Sequence, residues 1–157
     1  MLSIQVQLLI FRKITTLPWQ TVRAAFTHRF HRGPVFLSLL DLRRLASGLN
    51  ITDNQVVSEY CRTVDIGGFS RVSLQEKPNY DCVFWDGGCT VYEHRPLQCR
   101  AYPFWAPVLA NDSTWRAEMS SCPGIGQGKL HTAEEINRWL EVRTHERLLS
   151  SWLDVEQ

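Results

Sequence analysis

Four cysteines lie within residues 82–122, and each stands near residues that turn the backbone or end regular structure. They are Cys82, Cys89, Cys99 and Cys122, with six, nine and twenty-two residues between successive members. The flanking signals are Asp86-Gly87-Gly88, Arg95-Pro96 and Pro123-Gly124. Turns and helix ends allow side chains that are distant in sequence to approach one point. This pattern therefore constrains the fold more than any other feature of the chain.

Clustered thiols have two alternative roles here, a shared metal site or separate burial in the core. Thiolates suit iron–sulfur clusters and zinc, which takes four ligands at about 2.3 Å from sulfur. Free cysteines are also among the most frequently buried residues. The spacing lacks the paired C-x-x-C of a zinc ribbon, so the residues alone leave both roles open. In a regular hairpin Cys82 and Cys89 would lie about 10 Å apart, and a shared site would need a bend or a very short ladder.

The composition is that of an ordinary globular domain. The chain has 157 residues, 44% of them hydrophobic, which is enough for one domain with a core. Its formal net charge of +1 gives no electrostatic reason to expect nucleic acid or a membrane as a partner. The cysteines number five, which is odd, and no secretory signal is visible. We therefore expect a cytoplasmic protein with reduced thiols.

The pattern predicts a small α+β domain, with several helices around short antiparallel strands and a cysteine metal site. Residues 35–37 predict a short strand. The following helix is capped by Ser38, with Asp41 three residues later as in a weaker form of the capping box, and is ended by Gly48. A second helix is predicted from Thr52 to the residues before Gly67, with Cys61 on its apolar face. Cys61 is therefore expected in the core.

The second half of the chain predicts short strands, loops and one clear helix. The predicted elements are strands over 71–76, 82–85 and 89–92, a short helix after Pro96, loops over 104–130 and a final helix capped by Thr132 and Glu135. We divide the chain into an atypical segment at 1–32, a cysteine-cluster domain at 33–128 and a C-terminal helix segment at 129–157.

Two arginines flank the third cysteine. A zinc ion held by four thiolates carries a formal charge of −2, and fixed positive charge nearby offsets it and lowers thiol pKa values. Arg95 and Arg100 are therefore candidates to support the site. The alternative for Arg95 is an exposed salt bridge with Glu93 or Asp86, which contributes little.

The cysteine region also carries a long pattern, C-x-F, C-x-x-Y, R-P-x-x-C-R-x-Y-P-F and C-P-G. It occupies Cys82–Phe84, Cys89–Tyr92, Arg95–Phe104 and Cys122–Gly124. With this pattern the stretch 33–128 resembles the bacterial cysteine-cluster family often called YkgJ, a zinc- or iron-chelating domain. The resemblance implies that Cys82, Cys89, Cys99 and Cys122 bind zinc or iron, including iron in an iron–sulfur cluster.

One departure from the family concerns the N-terminal region. The family opens with a motif of the C-x-x-x-C-x-x-C-C type, whereas this chain has no cysteine before Cys61. Two explanations are open. His28 and His31 are candidate substitutes, since imidazole is a competent zinc ligand. Alternatively, residues 1–32 are a frame-shifted or misassigned start, which is the explanation we favour.

The sequence leaves two alternatives to a metal-chelating module. Similar cysteine clusters accompany methylation of flagellin lysines, so a component of a protein-modifying or redox enzyme is one of them. Against it, the chain lacks a dinucleotide loop, a P-loop, an H-E-x-x-H motif and a SAM-radical motif. Four committed sulfurs would also leave no open coordination position for catalysis. The other alternative is a disulfide-stapled module.

Overall fold

The computed structural model describes residues 13–14, 33–122 and 124–151. Within these ranges the chain forms α-helices, one short 3₁₀ helix and short antiparallel strands. This mixture is the α+β class that the sequence predicts. The candidate ligands His28 and His31 lie outside the described residues.

The described residues form two compact units, each with its own hydrophobic core. The first unit contains residues 33–100 and 143–151. The second contains residues 13–14, 101–122 and 124–142. The segment boundaries after residues 32 and 128 stay predictions.

Helix α1 (Leu39–Leu49) begins as predicted, because Ser38 and Asp41 form a capping box. The Ser38 hydroxyl accepts the Asp41 N–H at 3.1 Å, and the Asp41 carboxylate accepts the Ser38 N–H at 3.2 Å. The predicted end of the helix was wrong. Gly48 lies inside α1, and Asn50 caps it in the left-handed conformation at φ 56°. Asparagine tolerates this conformation because its short side chain can hydrogen-bond locally.

Gly48 instead allows the close approach of another side chain. A Cβ atom at this position would lie 2.3 Å from Cγ of His94. In a solvent-exposed helix, replacing glycine by alanine stabilises the helix by about 1 kcal/mol. Forcing an extra methyl group into a packed contact destabilises the fold by about 1–3 kcal/mol. We expect Gly48→Ala to lower the free energy of unfolding in urea, whereas the exposed Ser47→Ala in the same helix does not. Adding His94→Ala should recover the loss, and a Gly48→Ala variant more stable than wild type would contradict this contact.

Helix α2 (Asp53–Tyr60) is shorter than predicted, because the chain changes to a strand at Cys61. Strand β2 (Cys61–Asp65) pairs antiparallel with β3 (Ser70–Leu74) over its whole length. The prediction that one helix continues past Cys61 was therefore wrong. Over so few residues the apolar positions fit both helical and strand periods, and pairing with β3 decides between them. Cys61 is buried in the core as predicted, with 6% of its surface exposed.

Strand β3 has further neighbours on its other side. The Leu37 N–H donates to the Val72 carbonyl at 3.1 Å, and the Val72 N–H donates to the Leu149 carbonyl at 2.9 Å. The Leu149 N–H in turn donates to the Leu37 carbonyl at 2.8 Å. The predicted strand over 35–37 is thus an extended segment with an isolated bridge to β3. The core of this unit consists of Leu37, Leu42, Leu45, Ala46, Val56, Cys61, Val72, Leu74, Phe84, Val91 and Leu149.

The predicted strands over 82–85 and 89–92 do not form. Residues 82–91 instead make successive turns with isolated bridges, one of which joins Trp85 to Cys89. Cys82 pairs back to Glu76 instead of across the turn. The two predicted strands do not form a hairpin because turns at 83–84 and 90–91 lie on either side of Gly87 and Gly88. These turns leave no residues to extend a strand ladder.

The chain then enters the segment that carries the third cysteine. A 3₁₀ helix at Tyr92–His94 precedes helix α3 (Leu97–Arg100). This short helix follows Pro96 as predicted. Proline suits the start of a helix because its fixed φ is compatible and its missing N–H would have no partner there.

The second unit contains more regular structure than the loops predicted over 104–130. Helix α4 (Asp112–Ser121) begins at Asn111, whose side chain accepts the N–H groups of Ser113 and Thr114 at 2.9 and 3.0 Å. Strand β4 (Ile125–Leu130) pairs antiparallel with β1 (Lys13–Ile14). The loop prediction was wrong at Asn111, because asparagine is common in turns but is also a strong N-cap residue.

The final helix α5 (Ala133–His145) begins with the predicted capping box between Thr132 and Glu135. Ile136 from its apolar face is buried, with 1% of its surface exposed. It joins a core that consists of Phe104, Val108, Leu109, Trp115, Cys122, Ile125 and Ile136. Among the described residues, no helix has the length and apolar character needed to span a bilayer.

Candidate metal centre

Cys82 and Cys89 occupy two copies of the same local arrangement. The Phe84 N–H donates to the Cys82 sulfur, and the Val91 N–H donates to the Cys89 sulfur, two residues further along in both cases. The turns that replace the predicted strands provide these geometries. Such N–H···S bonds stabilise the thiolate form and are typical of the surroundings of metal-bound sulfur.

Cys99 comes from α3, whose position depends on contacts with distant residues. The Leu97 N–H donates to the Asp41 carboxylate at 2.6 Å, and the Gln98 amide accepts the Phe36 N–H at 3.2 Å. A helix of four residues has little stability of its own, because the free energy needed to form the first turn exceeds the free energy that the hydrogen bonds of one turn provide. These tertiary contacts therefore determine where Cys99 lies.

The thiols of Cys82, Cys89 and Cys99 are electrostatic neighbours. Burial raises the pKa of Cys82 to about 11 and that of Cys99 to about 12. Negative charge on Cys82 or Cys89 raises the pKa of Cys99 further, and Cys89 also raises that of Cys82. The structure therefore brings these three predicted site residues into one neighbourhood of the first unit.

Positive charge faces this neighbourhood. Burial raises the pKa of Cys89 as well, and the positive charge of Arg95 offsets part of the rise in the pKa of Cys89 and Cys99. Lys77 offsets part of the rise in the pKa of Cys82. The Arg95 guanidinium stacks over the Tyr92 ring, with its central carbon 3.4 Å from the ring centroid. Arg95 therefore interacts with the thiols, as the sequence predicts, and the cation–π contact holds it there. Arg100 instead donates from Nε to the Arg95 carbonyl at 3.0 Å.

Cys122 belongs to the second unit and ends α4 instead of lying in an extended loop. It is 6% exposed, and its N–H donates to the Glu118 carbonyl at 2.8 Å. The Tyr102 hydroxyl hydrogen-bonds to both the Glu118 carboxylate and the Cys122 sulfur. Burial, followed by these two neighbours, raises the pKa of Tyr102 above its ordinary value. Cys122 therefore has a polar partner within its own unit.

Cys61 differs from the other cysteines. It packs among the core residues of the first unit, and burial raises its pKa to about 12. No charged neighbour contributes to this shift. Cys61 is therefore a core residue with a thiol that stays protonated and unreactive at neutral pH.

The donor chemistry of the first unit suits a thiophilic ion. Three neighbouring thiols, two N–H···S bonds and Arg95 provide the sulfur donors, the hydrogen bonds to sulfur and the positive charge that zinc and iron thiolate sites use. As they stand, no three histidine, cysteine, aspartate or glutamate side chains in the described part of the chain lie close enough to hold an ion together. None of the five cysteines forms a disulfide.

Sequence reasoning missed two residues beside the thiols. Asp41 was identified only as part of a capping box, although it is also an electrostatic neighbour of Cys99. The other residue is Lys77, whose ammonium group donates to the Trp85 carbonyl and faces Cys82. No local signal could reveal either role, because each depends on contacts made through folding.

One family model matches the chain, over residues 35–123. Its description is "CxxCxxCC: Putative zinc- or iron-chelating domain". The matched range is more than half of the chain and contains Cys82, Cys89, Cys99 and Cys122. No solved structure matches the chain.

Proposed function

Because the chain belongs to the CxxCxxCC family of zinc- or iron-chelating domains, we propose that it binds one zinc or iron ion through cysteine thiolates. Cys82, Cys89 and Cys99 are the proposed ligands from the first unit. Cys122 completes the proposed set of four, and it is included on the family pattern alone. The proposal makes the protein a metal-binding module with a structural or metal-handling role.

The observation that carries the proposal is the family match over residues 35–123, and the electrostatic interaction among Cys82, Cys89 and Cys99 supports it. These thiols come from two turns and a short helix, whose positions depend on tertiary contacts. Isolated core cysteines would resemble Cys61, whose pKa is raised by burial alone. Since the thiols do not converge as they stand, we expect binding to rotate the cysteine side chains between staggered rotamers.

The surrounding groups would favour the bound form. A bound ion supplies a positive centre that keeps the sulfurs deprotonated despite their burial. The N–H groups of Phe84 and Val91 orient two of the sulfurs, and Arg95 offsets their charge. Thiolates need a reducing compartment, so we place the protein in the cytoplasm. Four committed sulfurs leave no open coordination position, which favours a structural or storage role over catalysis.

Metal analysis of the purified protein tests this proposal. Protein prepared anaerobically with a reductant should contain about one zinc or iron ion per chain by plasma mass spectrometry. Cys82→Ser, Cys89→Ser and Cys99→Ser should each reduce the content to near zero. A sulfide assay separates an iron–sulfur cluster from a single ion.

Cys61→Ser is the matched control, because Cys61 is a buried free thiol of the same unit. It should retain the metal content of wild type. Cys122→Ser tests the fourth ligand separately, and full retention by this variant would remove Cys122 from the ligand set. Folded wild-type protein that contains neither ion, and takes up neither when supplied, would refute the proposed function.

A further inference from the structure

Asp41 is a buried carboxylate with more partners than a helix cap requires. Only 2% of its surface is exposed. One oxygen accepts the Ser38 N–H at 3.2 Å and completes the capping box of α1. The other accepts the Leu97 N–H at 2.6 Å, and an Arg100 nitrogen lies 3.9 Å from the same atom. The carboxylate therefore joins the start of α1 to the start of α3, 56 positions later in the chain.

The N–H of Leu97 needs this partner. It belongs to the first turn of a helix, where backbone N–H groups have no acceptor within the helix. Leu97 is 4% exposed and Pro96 is fully buried, so burial excludes ready replacement by solvent. A buried N–H without an acceptor is costly, and a carboxylate accepts such a bond more strongly than a neutral group. Asp41 is thus the acceptor that allows this turn to be buried.

The consequence for the cysteines follows from the length of α3. Cys99 lies two residues after Leu97 within a helix of four residues. A shift of the first turn would move Cys99 with it, since the Cys99 N–H donates to the Pro96 carbonyl at 3.0 Å. The position of this thiol beside Cys82 and Cys89 therefore depends on the Asp41–Leu97 bond.

We propose that Asp41 is a positioning residue of the metal centre, whose bond to the Leu97 N–H holds Cys99 beside Cys82 and Cys89. This inference rests on the proposed function and adds to it a residue outside the cysteine pattern. Asp41 is not a ligand in this proposal and acts through α3. Mutation of residues that orient ligands commonly weakens metal binding 10–100-fold.

Two substitutions at Asp41 separate positioning from general stability. Asp41→Ala removes both hydrogen bonds and should weaken zinc binding about 10–100-fold in a competition titration with a chromophoric chelator. Asp41→Asn keeps an oxygen that can accept the Leu97 N–H but carries no charge. It should bind zinc within about 3-fold of wild type, because the acceptor that holds the first turn of α3 is retained.

Ser38→Ala is the matched control. It removes the hydroxyl half of the same capping box, so it should lower the stability of α1 as Asp41→Ala does. It leaves the bond between Asp41 and Leu97 in place, and zinc affinity should therefore stay within about 2-fold of wild type, since no contact of α3 is altered. Amide hydrogen exchange of the metal-free proteins provides a second readout. The Leu97 amide should lose protection in Asp41→Ala and keep it in Asp41→Asn and Ser38→Ala.

The outcomes distinguish this inference from the proposed function. If wild type binds zinc and Asp41→Ala binds it equally tightly, the positioning role is wrong and the proposed function stands. Equal weakening by Ser38→Ala and Asp41→Ala would assign the effect to α1 stability and also overturn the inference. If Asp41→Ala does not fold, Asp41→Asn provides the test. A positioning role is contradicted if this variant keeps the Leu97 amide protected from exchange and nevertheless loses zinc affinity. A wild type that binds neither zinc nor iron refutes both.

Discussion

Chelation of the bound metal is expected to lower the melting temperature of the protein by about 8–16 °C. An ion that binds only the folded state stabilises it by about 4 kcal/mol when the free ion exceeds its Kd a thousandfold. For a chain of this size, 1 kcal/mol corresponds to about 2–4 °C in melting temperature. We expect an effect on this scale because the ion would join two turns and a short helix that have little regular structure to hold them together.

Thermal unfolding followed by circular dichroism, with and without a strong chelator, measures this effect. Cys61→Ser should respond to the chelator as wild type does, because Cys61 contributes only to the core. Cys82→Ser should melt at the temperature of chelated wild type and should not respond further. If the metal leaves wild type and the melting temperature does not change, the ion does not cross-link the fold.

Leu149→Ala is expected to lower the free energy of unfolding by about 2–5 kcal/mol. Leu149 lies near the end of the described chain, where substitutions are commonly tolerated. Here it is 4% exposed and belongs to the main core of the first unit. Its backbone bonds to Leu37 and Val72 place the side chain in that core. Truncation to alanine therefore removes buried apolar surface and leaves a cavity.

Leu40→Ala provides a matched control for this prediction. Leu40 is 58% exposed in the same unit, so its truncation should change the free energy of unfolding by no more than about 0.5 kcal/mol. Urea unfolding of both variants measures the two changes in the free energy of unfolding, when the dependence of that free energy on urea concentration is taken from wild type. Equal effects of the two substitutions would show that Leu149 does not occupy the core in solution.

Helix starts were the most predictable part of the fold. Ser38 with Asp41 and Thr132 with Glu135 were identified from sequence, and both form capping boxes. Such caps are local, because the bonded groups lie three residues apart and need no other part of the chain. The start of α4 follows the same local rule, since the Asn111 side chain caps it through the N–H groups of Ser113 and Thr114.

Strands and helix ends were less predictable. Cys61 ends one helix and begins β2, and this change depends on pairing with β3. Gly48 lies inside α1, and the His94 ring occupies the space that a Cβ at this position would need. Both the pairing of Cys61 and the glycine at position 48 depend on residues distant in sequence, which a local pattern does not reveal.

The sequence by itself determined the family, the α+β class and the identity of the thiols that the family pattern assigns to metal. These follow from residue types and spacings, which folding does not change. Only the tertiary structure decided that Cys82, Cys89 and Cys99 are neighbours and that Asp41 and Lys77 face them. The physical reason is that α3 and the cysteine turns are too short to be stable alone, so that distant partners such as Asp41 set their positions.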